Sequence, residues 1–216
     1  MSITSLLDDR HPIRKSVAVS EIWDLRQHTP ASLWQQCADS LTAATASARH
    51  PFHLITVATM VAASGPDQRT VVLRSFDPDA GTISFHTDIR SSKVAQLTAC
   101  PQVSLHWYDP AARVQLRISA TAAVHHQDDL AVKAWTRSRA TSRACYTAVR
   151  GPGAAVDAFP TAPSIPLDDD PRGLVHFAVV TCRFSTIEVL TLHAGGHQRV
   201  RVQLKDQPIS WQILAP

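Results

Sequence analysis

The spacing of apolar positions changes near residue 50. Before it, Leu33, Trp34, Cys37, Leu41 and Ala44 recur at steps of three and four. That is the stripe of an amphipathic helix, and it predicts a helix over residues 31–49. His50 and Pro51 end it, because a residue preceding proline avoids the helical region. Residues 17–27 form a shorter helical candidate behind a polar, irregular arm over residues 1–17.

From Phe52 the chain is rich in β-branched residues and broken by turn signals, which predicts strands over residues 53–61, 69–76, 82–87, 103–108 and 113–124. Ser64-Gly65-Pro66-Asp67 and Asp77-Pro78-Asp79-Ala80-Gly81 are the turns between the first three. Residues 91–100 read as a short helix with Val94, Leu97 and Cys100 inward. Residues 127–139 read as another, with Leu130, Ala134 and Trp135 inward. A long Pro-, Gly- and Asp-rich loop spans residues 151–172, and loops of that length are usually functional or mobile. Beyond it, residues 174–192 form one or two strands, and residues 198–204 and 209–214 a closing hairpin after Gly195-Gly196. Short strands at close spacing point to a barrel or sandwich, and closure removes exposed edges. The expected organisation is one domain: residues 1–50 as an arm and helices packed on a barrel of residues 51–216.

Composition narrows the class. The chain has 216 residues, 44% hydrophobic and 18% charged, enough to bury a core. No apolar run approaches the ~20 residues of a membrane-spanning helix, and the N-terminus lacks a signal-peptide pattern. Cys37, Cys100, Cys145 and Cys182 have no metal-ligand spacing and sit in apolar or small surroundings. The expectation is buried free thiols in the cytoplasm. Of 21 Lys and Arg, seventeen are Arg, whose planar fork suits phosphate and carboxylate. They are scattered, which argues against a nucleic-acid surface. His125-His126 would face opposite ways in a strand, and His176, His193 and His197 lack helical spacing, so no metal is expected. Asp168-Asp169-Asp170 reads as a solvated cluster. No G-x-S-x-G elbow is present.

Candidate chemistry concentrates between Arg69 and Arg117. Arg69 opens a strand, Arg74 ends it, and His86-Thr87 ends the next. Ser91-Ser92-Lys93 begins a helix, whose free N–H groups and dipole favour an anion. Gln115 and Arg117 share a strand face. Singly, such serines are ordinary N-caps and such arginines are solvated; the ordered set argues for a phosphate site.

The run RTVVLRSFDPDAGTISFHTDIRSSKVAQLTACPQVSLHWYDPAARVQLRISATAAV resembles the FMN-binding core of the pyridoxamine 5'-phosphate oxidase-like split-barrel family. The shared elements are a strand R-x-V-[VL]-L-[KR], a strand ending in an aromatic or His plus Thr, a helix start with S-R or S-K, an aromatic strand, and Q-[VL]-R. The resemblance implies a mainly β, six-stranded antiparallel Greek-key split barrel with flanking α-helices. It implies an FMN-dependent oxidoreductase acting on a small, anionic substrate, with O2 or a nicotinamide as the other redox partner. Arg69, Lys93, Ser92 and Ser91 would hold the FMN phosphate. The backbone of Val71, Val72 and Leu73 would line the isoalloxazine edge. Arg74 would lie near flavin and substrate, and His86 and Thr87 against the ribityl chain or phosphate. Gln115 would reach the flavin across a homodimer interface, where the family builds its FMN sites.

Departures set the rest. Ser92 stands where the oxidases carry a second Arg. Trp135 and Arg139, with Ser142 or Arg143, stand where the oxidases grip the substrate phosphate. Leu190–Leu192 lacks a Trp, and Arg199-Val200-Arg201 lacks the His between the arginines. Substrate contacts are therefore expected from Arg74, Trp135, Arg139 and Arg199, and no residue is assigned as catalytic. Two other readings stand beside the enzyme: a flavin store or sensor without turnover, and a basic nucleic-acid-binding barrel. No nucleic-acid or membrane partner is expected.

Overall fold

The structure, a computed structural model, describes residues 23–62, 64–161 and 171–216. The arm over residues 1–17, most of the first helical candidate and the Asp168–Asp170 run lie outside them. Of that candidate, only a single 3-10 turn at Leu25–Gln27 is described.

Helix α1 (Pro30–Ala46) begins with reciprocal hydrogen bonds between Thr29 and Ser32 and with Pro30 in its first turn, which supplies partners to N–H groups that no helical carbonyl can reach. Its stripe of Leu33, Cys37, Leu41 and Ala44 is buried. Each of the two leucines contributes roughly 1.5–3 kcal/mol by leaving water. Trp34 extends the stripe edgewise onto Phe76 and Phe184, at 6.1 and 6.3 Å.

Among the described residues ten strands follow, antiparallel throughout: β1 (Leu54–Val61), β2 (Gly65–Val72), β3 (Ser75–Asp77), β4 (Thr82–Asp88), β5 (Gln102–Asp109), β6 (Val114–His126), β7 (Phe177–Arg183), β8 (Thr186–Thr191), β9 (Gln198–Gln203) and β10 (Ser210–Leu214). Six of them form the expected barrel, in the order β1-β2-β4-β7-β6-β5. The ring closes where the Arg74 N–H donates to the Ser84 carbonyl at 2.9 Å and the Leu73 N–H to the His53 carbonyl at 2.8 Å. That closure also corrects the sequence reading of one strand over residues 69–76: the chain leaves β1 at Leu73 and joins β4 at Ser75. β2 in turn starts earlier than expected, because Gly65 to Asp67 pair with Val61 to Thr59 and are not a free turn.

β6 is where the barrel splits. Along one edge it pairs with β5; along the other it changes partner, from β8 at Val114–Arg117 to β7 at Thr121–His126. β8, β9 and β10 thus fan out as an extension of the sheet. The core fills the barrel with Ile55, Val57, Leu105, Trp107, Leu116 and Ile118, and the Trp107 indole donates to the Phe52 carbonyl at 3.0 Å.

Helices α2 (Ser92–Ala99), α3 (Asp129–Arg137) and α4 (Ala140–Arg143) flank the barrel. Asp128 caps α3 through the Ala131 N–H at 2.9 Å, which turns Ala131 and Trp135 inward and leaves Leu130, expected in the core, 39% exposed. Of the cysteines, Cys37 and Cys182 are buried as expected, but Cys100 is half-buried and Cys145 exposed; all four are free. Among the described residues no helix is long and apolar enough to cross a membrane.

Candidate functional site

Two polar sites share strand β4, and its alternation separates them. Thr87 turns to one face and His86 to the other.

On the Thr87 side lies a cradle at the start of α2. The Lys93 ammonium donates to the Thr87 hydroxyl at 3.1 Å, and that hydroxyl lies 3.1 Å from the Ser91 hydroxyl. Ser91 occupies the N-cap position of α2 but makes no side-chain cap bond. Its hydroxyl is spent on Thr87, so it satisfies none of the first-turn N–H groups of α2. Ser92 is exposed beside them. Burial, and then the charge of Arg69, lower the Lys93 pKa against the pull of Asp88 and Asp67, and among the described residues the ammonium forms no ion pair with a carboxylate.

Arg69 approaches from β2 but is not free. Its guanidinium donates to the Asp67 carboxylate, to the Thr59 hydroxyl and, at 2.9 Å, to the Gln96 side-chain carbonyl. The Gln96 amide completes the ring by donating to Asp67 at 2.9 Å. This hydrogen bond, followed by the charge of Arg69, holds the Asp67 pKa below the ordinary carboxylate value. Sequence reasoning missed Thr59, Asp67 and Gln96. Only Gln96 left a signal, standing three residues after Lys93 and hence on the same helix face.

On the His86 side opens a cavity of about 780 Å³, lined among others by Arg74, His86, Lys133, Arg137, Arg139 and Thr181. Burial, and then the charge of Arg74, push His86 down to about 4, so it is neutral at neutral pH. Its ring packs edgewise on Phe177, centroids 4.8 Å apart. At the wall, the Thr181 hydroxyl lies 3.1 Å from His125 Nε2, and His125 Nδ1 lies 2.8 Å from Asp128.

The structure brings Arg74, His86 and Arg139 together, and does not bring Trp135 or Arg199 to them. Trp135 is buried against Phe177 and Tyr146, centroids 5.3 and 6.1 Å away, with the Arg143 guanidinium 5.5 Å over its ring. Ser142 reaches the cavity wall; Arg143 does not. Arg199 lies on β9 and donates to Glu188 at 2.6 Å, as does Arg201 to the other carboxylate oxygen. Burial pushes the Glu188 pKa up, but the bonds from Arg199 and Arg201 outweigh it and hold it low.

Gln115 sits on the outer face of the split sheet, in one cross-strand row. Register places Val72 beside Leu54, Tyr108 beside Gln115, Gln115 beside Leu190, and Arg199 between Leu190 and Leu214. Leu54 is 53% and Tyr108 42% exposed. The Val71 and Val72 backbones are paired with β1, and the Leu73 side chain is wholly buried, so only the backbone edge there is left to meet a ligand.

The architecture is that of a split antiparallel barrel, with a cationic cradle at a helix start and a basic cavity on the opposite face of β4. Residues 31–126 match the family model "Pyridoxamine 5'-phosphate oxidase, FMN-binding domain". Pyridoxine/pyridoxamine 5'-phosphate oxidase 2 of Arabidopsis thaliana is 25% identical over 171 residues, covering 76% of this chain and 85% of that protein. Among solved structures, a pyridoxamine 5'-phosphate oxidase-related, FMN-binding protein of Nostoc punctiforme superposes with a TM-score of 0.70 at 23% identity, over 85% of this chain and 97% of that one. PhzG of Burkholderia lata, solved with tetrahydrophenazine-1-carboxylic acid, superposes with a TM-score of 0.65 at 17% identity, over 92% and 99%. The split-barrel fold is thereby shown.

Proposed function

We infer that this protein binds FMN and uses it as an oxidoreductase on a small anionic substrate. The observation that carries the reading is the desolvated Lys93 beside the α2 N-terminus, where Ser91 supplies no cap. A phosphate satisfies all of these groups at once: N–H groups, hydroxyls and a cation converge on it. Lys93, Ser91, Ser92 and Thr87 hold the phosphate, and Arg69 reaches it at the cost of loosening its bond to Asp67. The backbone edge of Val71–Leu73 runs from Arg69 towards Arg74, and His86 lies beside Arg74 on the other face of β4. The bound flavin supplies two-electron redox chemistry. The chain's own residues bind and orient: Arg74 holds positive charge beside the ring, and Arg139 presents a guanidinium to an anionic substrate in the cavity. The open cavity favours turnover over storage of the flavin.

The outer row of Val72, Leu54, Tyr108, Leu190 and Leu214 supports a homodimer, since it is a partly exposed apolar stripe with Gln115 at its centre. Gln115 and Arg199 then serve the partner's flavin site across the interface. The compartment in this reading is the cytoplasm, consistent with four free cysteines.

The deciding experiment is the visible spectrum of the purified protein, followed by an FMN titration with light scattering for mass. One FMN per chain, in particles of twice 23.6 kDa, is the expected result. Failure to bind FMN at any concentration removes the reading.

A further inference from the structure

The cavity beside β4 carries more positive charge than a single anionic group requires. Helix α3 lines it with Leu130, Lys133, Ala134, Arg137 and Ser138. Those spacings of three and four define one helix face, while Ala131 and Trp135 on the other face are buried. Lys133 and Arg137 therefore stand one turn apart and project beside the same space. Like charges at that spacing repel. The position of Arg137 in the last turn suits the helix dipole, but that does not account for Lys133 a full turn earlier.

Arg74, on the chain between β2 and β3, and Arg139, at the start of α4, line the same cavity. Among the described residues, none of these four side chains has a hydrogen bond or ion pair. Asp77 is the one carboxylate of the lining among the described residues, and its Oδ1 already accepts the N–H groups of Asp79 and Ala80 at 3.0 and 2.9 Å. Four cations thus face one carboxylate committed to its own turn. His86 adds no charge at neutral pH and no competing anion.

We propose that Lys133 and Arg137 form a second anion subsite, so that the cavity takes a small organic polyanion with two separated phosphate or carboxylate groups. Arg74 and Arg139 hold one group; Lys133 and Arg137 hold the other. This builds on the reading of the cavity as the substrate site, but not on the flavin. Both α3 side chains end in solvent, and their replacement leaves the buried face of the helix intact.

Calorimetric titration of the full chain tests it, with propane-1,3-diyl bisphosphate and glutarate as two-group probes and orthophosphate and acetate as one-group probes. At least one two-group probe is expected to bind once per chain, about tenfold or more tighter than its one-group counterpart. In Lys133→Ala/Arg137→Ala that advantage disappears, whereas Arg183→Ala, which removes an exposed cation elsewhere, keeps it. Equal affinity for one- and two-group probes, or an advantage that survives in the double variant, overturns the proposal. FMN titration of the same samples keeps the two readings apart: protein that ignores FMN yet shows this pattern refutes the flavin assignment alone, and the converse refutes the second subsite alone.

Discussion

Replacing Arg69 by Ala tests the phosphate cradle most sharply, because Arg69 is shared between a ligand and a carboxylate. Its side chain is 18% exposed and lies in contact with Asp67. A charge-assisted hydrogen bond contributes about 1.5–3 kcal/mol, which corresponds to a loss in FMN affinity of roughly 10- to 150-fold. The loss should fall towards the upper end of that range, because the substitution also leaves the Asp67 carboxylate unopposed near an anionic phosphate. The same reasoning gives Asp67→Asn the opposite sign: with no carboxylate to compete, Arg69 turns to the phosphate and FMN binds more tightly. Arg69→Ala/Asp67→Asn should then recover part of what Arg69→Ala loses. The assay is quenching of flavin fluorescence on titration with protein, at two ionic strengths, with far-UV circular dichroism as the check on folding. Charge repulsion from an exposed carboxylate is screened over about 8 Å at physiological salt, so the gap between the single and double variants should narrow as salt rises. An Arg69→Ala protein that binds FMN within twofold of the wild type, or an Asp67→Asn protein that binds it more weakly, would refute this account.

Three further outcomes follow from the same geometry. FMN affinity should fall on the alkaline side, beginning below the ordinary lysine value of 10.5, because the lowered Lys93 pKa deprotonates the ammonium early and phosphate needs it charged; Lys93→Arg should flatten that limb, and an identical pH profile in the variant would count against Lys93 as the titrating group. Glu188 has a depressed folded pKa, so its contribution to stability is present above its unfolded value and is lost as pH falls through the folded one; Glu188→Gln should cost about 1–2 kcal/mol at neutral pH, discounted because Arg201 is 40% exposed, and should reduce the acid sensitivity seen in urea melts. Gly81 has φ +59° and a Cβ there would stand 2.6 Å from the Phe184 backbone carbonyl, so Gly81→Ala should lower unfolding stability by at least about 1–2 kcal/mol from the left-handed backbone alone; an unchanged urea midpoint would sink that claim.

Much of this architecture was legible in the chain. The switch from helical to β spacing at Phe52 marked the barrel, and the turn residues marked most strand ends within a residue or two. Local rules failed where a backbone group found its partner at a distance. Residues 69–76 have the composition of one strand, and nothing local announces that the Arg74 N–H pairs with Ser84 and breaks it. On α3, Trp135 faces inward as expected and Ala134 packs beside it, but Leu130 is left exposed and Ala131 is buried in its stead. Trp135 and Arg139 lie four apart and were expected in one site, but Trp135 packs inward on Phe177 while Arg139 follows the end of α3 and lines the cavity.

The sequence by itself determined the elements and the order of polar residues along them, because propensity, periodicity and turn chemistry act over a few residues at a time. It therefore placed Arg69, Thr87, Ser91 and Lys93 on neighbouring elements. Only the tertiary structure decided which faces meet: that Asp67, Thr59 and Gln96 enclose Arg69, that His86 and Thr87 serve two different sites, and that Arg199 joins Glu188 on the outer sheet instead of Arg74 in the cavity. Those outcomes depend on closure of the ring between β2 and β4 and on the change of partner along β6, which are contacts between residues far apart in the chain and carry no local signature.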